Sequence, residues 1–347
     1  MSKLVGRIEL IIGPMFAGKT TELVQRIRRA ELARKKCIII KYSKDKDIKP
    51  DDFIKTHDMD EYPATPCSNL RDVLDLCLEY DVIGIDEAQF FPNIQEFTDS
   101  LAFNGKTVIV TGLNGTFQRK PFGKILNLIA HSETITKISA ICKKTGNDAS
   151  FTERSIASNE VEMIGGDDIY FATCRQYLSH NLNAGEIFLI LGPVKSGKTT
   201  EIIRLLRRYS ISGRETLLIR HPYSWPDDHN PPFDVKSTKF LPMFDDIERY
   251  DVIGVDEAQR YEGIADWADG LANDGKIIII GALDGNEYHK PFPGIIDLVP
   301  ICEHIQKLCG VCPVTGLPAP FTVKGFDCFI PVSRFAIVSG ISFEQYS

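Results

Sequence analysis

No stretch of this sequence stays apolar long enough to cross a membrane, and that absence is the first boundary on what the chain does. The opening residues, Met1-Ser2-Lys3-Leu4-Val5-Gly6-Arg7, also lack the apolar core of a signal peptide, so a cytoplasmic protein with no membrane partner is expected. Positive charge is in short supply. Forty Lys and Arg against 47 Asp and Glu leave a formal net charge of −7, which argues against a broad basic surface for nucleic acid. Cysteine is not scarce, and nine thiols in a chain expected to stay inside the cell read as reduced side chains. The balance of 43% hydrophobic and 25% charged residues is ordinary, and 347 positions suffice for about two globular domains.

The chain is organised around Gly13-Pro14-Met15-Phe16-Ala17-Gly18-Lys19-Thr20. This stretch follows the apolar run Ile8-Glu9-Leu10-Ile11-Ile12 and opens a helix-like segment from Thr21 to Ile27. Strand, G-x-x-x-x-G-K-T, then helix is the context of a phosphate-binding P-loop. Its glycines let backbone N–H groups turn inward around phosphate oxygens, and the helix N-terminus adds partial positive charge. In that reading Lys19 reaches the β- and γ-phosphates and the Thr20 hydroxyl ligates Mg²⁺.

The basic residues from Arg26 to Lys36 read as a solvated helix face, and Cys37-Ile38-Ile39-Ile40 as a buried strand. The polar stretch from Ser43 to Asp60, which contains Thr56-His57-Asp58, reads as a mobile loop. Val82-Ile83-Gly84-Ile85 then runs straight into Asp86-Glu87-Ala88-Gln89, an apolar strand ending in paired carboxylates as a Walker-B element does. A third buried strand, Thr107 to Gly112, leads to Asn114-Gly115-Thr116-Phe117-Gln118-Arg119-Lys120-Pro121-Phe122. Strands alternating with helices imply a parallel sheet. Beside a metal-binding Asp86, Glu87 is placed to take a proton from an attacking group. Water as that group makes an NTPase and a substrate hydroxyl makes a kinase, and the residue pattern leaves both open.

The element occurs twice. Gly192-Pro193-Val194-Lys195-Ser196-Gly197-Lys198-Thr199 repeats the first loop at a spacing of 179 residues. Val252-Ile253-Gly254-Val255-Asp256-Glu257 and Lys290-Pro291-Phe292 repeat their counterparts at 170. The second copy is therefore nine residues shorter where the first carries its Ser43–Asp60 loop. This is a tandem domain duplication, with Gln176 to Ala184 as the linker.

Taken together, GPMFAGKTTELVQRIRR, IKY, THD, VIGIDEAQFF, LNGTFQRKPFG and VEMIGGDDIY closely resemble the cytosolic type II thymidine kinases. The resemblance covers residues 8–177 almost without a break and continues at lower quality from 186 to about 325, so the chain looks like a tandem thymidine kinase. It implies two α/β, P-loop NTPase-like domains, each a parallel sheet flanked by helices with a small lid or lasso subdomain. Residues 1–180 would be the catalytic domain and 185–347 a degenerate domain with a structural or regulatory role. The implied reaction moves the γ-phosphoryl group of ATP to the 5′-hydroxyl of thymidine, with Mg²⁺.

By matching positions, Glu87 would be the general base, and Asp86 and Thr20 would sit by Mg²⁺. Gly13, Pro14, Met15, Phe16, Ala17, Gly18 and Lys19 would surround the phosphates, with Asp58 and Gln89 also on the nucleotide side. Phe90, Leu113, Phe117 and Phe122 match the apolar wall around the base. Thr152, Val161, Met163, Ile164, Gly165 and Tyr170 match the substrate side of the lid. Such roles make physical sense, because a pyrimidine offers two apolar faces to aromatic side chains and a polar edge to amides. Family members assemble as tetramers of single domains, so a homodimer of tandem chains would restore a pseudo-tetramer. The competing readings are a broader pyrimidine deoxynucleoside kinase and a non-catalytic nucleotide-binding scaffold. An intact Lys19, Glu87 and lid weigh against the scaffold.

The sequence also departs from the family. Members commonly hold a structural zinc between two Cys-x-x-Cys pairs, but here these read Cys142-Lys143-Lys144-Thr145 and Cys174-Arg175-Gln176-Tyr177. Two thiolates do not fill a tetrahedral zinc site, so structural zinc is expected to be absent. In the second copy Cys312 aligns with Cys142 and Thr315 with Thr145, and only Cys328 follows. Asn114 stands where the family usually has Asp, and Asp284 keeps it. The second copy has lost the THD segment, with Val235-Lys236-Ser237-Thr238 nearest, and it lacks the lid motif. Arg260 replaces Phe90, and Tyr288 is read as the replacement for Phe117. Gly192, Gly197, Lys198, Thr199, Asp256 and Glu257 remain as a phosphate site that is not expected to be catalytic.

Overall fold

Apolar β-branched runs and amphipathic helices alternate along the chain, and each kind of segment folds as its pattern requires. The computed structural model describes residues 5–43, 53–55, 61–155, 169–222 and 231–343. The chain divides into two units, one of residues 1–172 with 334–341 and the other of 173–333 with 342–347.

In the first unit, strands β1 (Arg7–Gly13), β2 (Cys37–Tyr42), β3 (Thr65–Cys67), β4 (Val82–Asp86), β5 (Thr107–Leu113) and β6 (Thr134–Lys137) form one sheet. Their order is β3-β2-β4-β5-β1-β6, and every neighbouring pair is parallel. The strands read as near-continuous apolar runs because both faces of a parallel sheet are covered. Helix α1 (Lys19–Leu32) puts Leu23, Val24 and Ile27 into the core with Ile11, Ile39 and Ile109. Helix α2 (Ile94–Phe103) buries Ile94, Phe97 and Leu101 and packs against β1 and β5. A smaller two-stranded sheet pairs β7 (Phe151–Arg154) with β8 (Tyr170–Thr173). Within the Ser43–Asp60 stretch read as a loop, Phe53–Lys55 is a short strand paired with Glu61–Pro63.

The second unit opens with a short helix, α3 (Arg175–Leu178), at the start of the stretch read as a linker. Strands β9 (Glu186–Leu191), β10 (Thr216–Arg220), β11 (Asp234–Ser237), β12 (Val252–Val255), β13 (Ile277–Ala282) and β14 (His304–Lys307) again form a parallel sheet. The order β11-β10-β12-β13-β9-β14 is that of the first sheet. Helices α4 (Lys198–Ile211) and α5 (Ile264–Asn273) stand where α1 and α2 stand in the first unit. Strands β15 (Phe321–Lys324) and β16 (Phe329–Val332) pair antiparallel, and the next helix in the chain, α6 (Arg334–Val338), belongs to the first unit. Val235, Lys236 and Ser237 belong to the edge strand β11, whose counterpart is β3, so they do not replace the THD segment upstream of β3.

Candidate functional site

Four strands of the first sheet end at the same edge, with Gly13 closing β1, Tyr42 closing β2, Asp86 closing β4 and Leu113 closing β5. Ligands of open parallel sheets bind beyond these carboxyl ends. Between β1 and α1 the backbone turns through Gly18 at φ 80°, a conformation that favours glycine. A Cβ on Gly13 would collide with the Ile138 carbonyl. Lys19 is buried, and its Nζ donates to the Pro14 carbonyl at 2.7 Å. Burial lowers the Lys19 pKa, against the opposing pull of Glu87 and Asp86.

Asp86 lies under this loop. It accepts from Thr20 Oγ1 at 3.0 Å on one oxygen and from Thr111 Oγ1 at 2.6 Å on the other. Burial, and then the charge of Glu87, pushes its carboxyl up to about 6. The next residue, Glu87, sits at φ 54°, ψ 42°, a left-handed conformation uncommon outside glycine. Its Oε2 accepts from Gln89 Nε2 at 2.5 Å, and Gln89 Oε1 accepts from the Leu113 N–H at 3.1 Å. Gln89 therefore ties the Glu87 carboxylate to the end of β5. Gly112 leaves room for this bridge, since a Cβ there would come within 2.5 Å of Gln89 Oε1. The glycine loop is tied in turn to the small sheet, because the Met15 N–H donates to Thr152 Oγ1 at 2.9 Å.

An aromatic cluster flanks the carboxylates. Phe90 stacks on Tyr42 with centroids 4.9 Å apart and meets Phe122 edge-on at 5.5 Å. Phe91 is fully buried behind them and contacts Tyr42 at 5.2 Å. Phe117 instead lies beneath the Arg154 guanidinium, 3.8 Å from ring centroid to Cζ. Tyr170 is buried on β8. Asp58, Val161, Met163, Ile164 and Gly165 lie outside the described residues. Three residues not singled out from sequence belong to this setting: Tyr42, Thr111 and Arg154. Tyr42 and Thr111 had a usable signal, since both lie at or near the C-terminal ends of buried parallel strands. Arg154 had none.

The second unit repeats the polar part except for Thr111, whose counterpart is Gly281. Lys198 Nζ donates to Pro193 O at 2.6 Å, Thr199 Oγ1 to Asp256 Oδ2 at 2.8 Å, and Gln259 Nε2 to Glu257 Oε2 at 2.6 Å. Glu257 has the same left-handed backbone, at φ 55°. The aromatic part is repeated only in part, with His221 meeting Tyr261, the counterpart of Phe91, edge-on at 5.9 Å. His221 stands at the Tyr42 position, and Arg260 Nε approaches Glu257 Oε2 at 3.6 Å. The turn also corrects the sequence alignment. Thr116 N–H donates to Lys120 O and Asn286 N–H to Lys290 O, which puts Glu287 opposite Phe117 and Tyr288 opposite Gln118. Tyr288 is 73% exposed, as its outward position requires.

The zinc positions of the family can be tested in the same way. Cys142 and Cys174 are buried, but Thr145 and Tyr177 stand at the sequence positions of the other two family cysteines. Arg175 and Arg334 sit on matching glutamates, Glu303 and Glu133, which aligns Ser333-Arg334-Phe335-Ala336 with Cys174-Arg175-Gln176-Tyr177 and makes Ser333 rather than Cys328 the counterpart of Cys174. There the Thr315 and Ser333 hydroxyls are hydrogen-bonded at 3.1 Å. Burial raises the Cys312 thiol, but hydrogen bonds from Thr315 and from the Ser333, Thr315 and Val314 backbone outweigh it and bring the thiol down to about 7. These donors do not fit a tetrahedral zinc. Among the described residues no group of three or more His, Cys, Asp or Glu is arranged to hold a metal. Nor is any described helix long and apolar enough to cross a membrane.

The fold and site define an α/β protein whose ligand side is the carboxyl edge of a parallel sheet. A sequence model of the family described as Thymidine kinase matches residues 6–178 and again 185–327. Thymidine kinase 1 of Dictyostelium discoideum is 48% identical over 188 residues, covering 53% of this chain and 83% of that protein. The thymidine kinase of vaccinia virus (strain Western Reserve) is 50% identical over 171 residues, 49% of this chain and 96% of its own. The human protein named cytosolic thymidine kinase is 49% identical over 174 residues, 50% of this chain and 74% of its own. The chain belongs to the thymidine kinase family.

Proposed function

We infer that the chain phosphorylates thymidine, moving the γ-phosphoryl group of ATP to the 5′-hydroxyl, and that the first unit carries the chemistry. The observation that carries this reading is Glu87, held by Gln89 at 2.5 Å beside the glycine loop and next to an aromatic cluster. A carboxylate so held accepts the proton of the attacking hydroxyl as the oxygen–phosphorus bond forms. In this reading Lys19 leaves the Pro14 carbonyl for the phosphates, which the N-terminus of α1 also attracts. The Thr20 hydroxyl and the Asp86 carboxylate, 3.0 Å apart, are hard oxygen donors that fit Mg²⁺. When bound there, Mg²⁺ neutralises phosphate charge as it shifts toward the leaving diphosphate. Phe90 and Phe122 offer apolar faces to the pyrimidine, and residues 161–165 with Asp58 complete the site in this reading.

The fold is read as P-loop NTPase-like, of the type II kind and duplicated in tandem, which the two family matches and the shared strand order support. The second unit keeps a loop able to grip phosphate. With Arg260 and Glu287 in place of Phe90 and Phe117, it lacks two of the rings that wall the base in this reading of the first unit. We assign it a nucleotide-binding or structural role, in a cytoplasmic homodimer with four such sheets. The test is steady-state phosphorylation of a nucleoside panel by Glu87→Gln and Glu257→Gln side by side. Loss of thymidine turnover in the first variant alone is the expected result. Loss in the second alone would reverse the assignment, and turnover of deoxycytidine equal to thymidine would broaden the substrate.

A further inference from the structure

Each unit contains a deep arginine that neither the glycine loop nor the aromatic cluster uses. In the first unit it is Arg334 on α6, 4% exposed. Its Nε donates to Glu133 Oε1 at 2.6 Å and its Nη2 to Glu133 Oε2 at 3.2 Å, a forked pair, while Nη2 also donates to the His131 carbonyl at 2.5 Å. Asp99 of α2 lies 3.8 Å from Nη1, and the Phe103 ring lies 5.7 Å from the guanidinium carbon. In the second unit the arginine is Arg175 on α3, 1% exposed. It forks onto Glu303 at 2.8 and 3.3 Å, reaches Asp269 at 2.6 Å and Asn273 at 2.9 Å, and donates to the Ile301 carbonyl.

The two sockets are equivalent in their carboxylates and in the carbonyl that accepts from the arginine, although Phe103 and His131 of one are Asn273 and Ile301 in the other. Glu133 matches Glu303 and Asp99 matches Asp269, and each glutamate also accepts a backbone N–H from the first strand of its own sheet. Ile8 donates to Glu133 Oε2 at 2.6 Å, and Ile187 donates to Glu303 Oε2 at 2.7 Å. The arginines, by contrast, come from the wrong copies. Arg175 follows the first sheet in sequence but closes the second unit, and Arg334 follows the second sheet but closes the first. Helix α6 also lies beyond the last residue matched by the family model.

We propose that each sheet carries a carboxylate socket for an arginine-bearing helix, and that the duplicated chain fills the two sockets by exchange, so that the second copy serves the first by returning Arg334 to it. A forked guanidinium suits this place because it satisfies Glu133 on two oxygens while facing Asp99, whose other oxygen pairs with His131 Nδ1 at 2.8 Å. The assignment of catalysis to the first unit rests on the reading above, whereas the exchange itself does not.

The test is hydrogen exchange of the full-length protein, comparing Arg334→Met with Arg175→Met. Arg334→Met is expected to speed exchange at least tenfold at Ile8 and across residues 131–137, with Ile187 and residues 301–307 unchanged. Arg175→Met should give the mirror image. Acceleration in the other unit, or in neither, overturns the exchange. Arg334→Lys, which keeps the charge but loses the fork, is the milder variant if the Met protein does not fold, and it should move the same amides by a smaller factor. Exchange at Ile8 of the unaltered protein should not change on dilution. A rise on dilution would mean that the socket is filled by Arg334 of a second copy, and would overturn filling within one chain. Thymidine turnover is read separately: unchanged turnover in Arg334→Met with accelerated Ile8 exchange would remove only the link to catalysis.

Discussion

Lys19 and Lys198 each curl back to the carbonyl of the loop proline, at 2.7 and 2.6 Å, and Thr20 and Thr199 each bond the strand-end aspartate, at 3.0 and 2.8 Å. A few ångströms away the two units have parted. Where the first places Tyr42, Phe90 and Phe122 in one stack, the second places His221 and the ion pair of Arg260 with Glu257. Thr111, which donates to Asp86 at 2.6 Å, has become Gly281. The difference teaches which part of such a site resists drift. The polar loop is bound into its own fold through buried hydrogen bonds, so it persists in both units as structure. The aromatic cluster carries no such bonds to the loop and differs between them.

The sharpest way to break this comparison is at the paired glutamates. Glu87→Gln is expected to lower turnover by roughly a hundredfold to ten-thousandfold, the usual worth of a general base, while nucleotide binding survives. Glu257→Gln should stay within about twofold of the unaltered protein, because Arg260, rather than a ring, stands at the Phe90 position and faces Glu257. Initial rates and nucleotide titrations on both variants read the contrast, and equal losses would erase it.

A second contrast is thermodynamic. The Asp86 carboxyl is held at about 6 against an ordinary 3.8, chiefly by burial. An acid raised by folding favours the neutral form, so its contribution is intact below about pH 4 and is lost as pH rises through 6. The ligand-free protein is expected to lose roughly 3 kcal/mol over that window, since a tenfold change in an acid's dissociation constant is worth about 1.4 kcal/mol. Asp86→Asn should flatten the slope in a denaturation series from pH 4 to 7. An unchanged slope would place its origin in other carboxylates.

Much of this was legible in advance because the signals were local. The glycine loop, the Asp86-Glu87 pair and the Lys-Pro-Phe turn are contiguous, and each is decided by backbone needs within a few residues. Tyr288 misled because an aromatic one place out of register looks like a substitution for Phe117, whereas the hydrogen bonds from Asn286 and Lys290 put Glu287 there. Ser333 escaped notice because a hydroxyl does not look like a thiol position. The arginine sockets could not be read at all, since Arg334 meets Glu133 across 201 residues of sequence and neither side chain is unusual alone. Periodicity and motif report neighbours along the chain, and exchange of terminal helices is decided by where the chain returns.

A smaller effect sharpens the aromatic side of the comparison. Phe90→Ala removes a ring stacked on Tyr42 at 4.9 Å and meeting Phe122 at 5.5 Å. The loss of such contacts is worth about 1.5 to 3 kcal/mol, which should raise the thymidine KM roughly ten- to hundredfold with little change in the apparent affinity for ATP. Arg260→Phe, the reverse change in the second unit, should not create a second thymidine site, because Glu287 and His221 still line it. Equilibrium binding of thymidine by calorimetry decides this, and two sites per chain in Arg260→Phe would mean that one side chain had closed the second pocket.

The smallest expected effect is on metal content, and here the two units should agree. The first sequence copy has Thr145 and Tyr177, and the second Thr315, Ser333 and Ala336, at the positions where a tetrahedral zinc needs thiolates or imidazoles. The hydroxyl pair at 3.1 Å and the hydrogen bonds onto Cys312 do locally in the second unit what a metal would do, joining the turn after β14 to the end of β16. A chelator should therefore leave the melting temperature where it was, since no folding free energy is tied to bound metal. Elemental analysis should find less than one zinc per chain, as a roughly fixed count would not arise from two buried thiols and a hydroxyl. A chelator-induced fall in melting temperature would show instead that Cys142 and Cys174 are bridged through ligands that the Thr145 and Tyr177 positions do not supply.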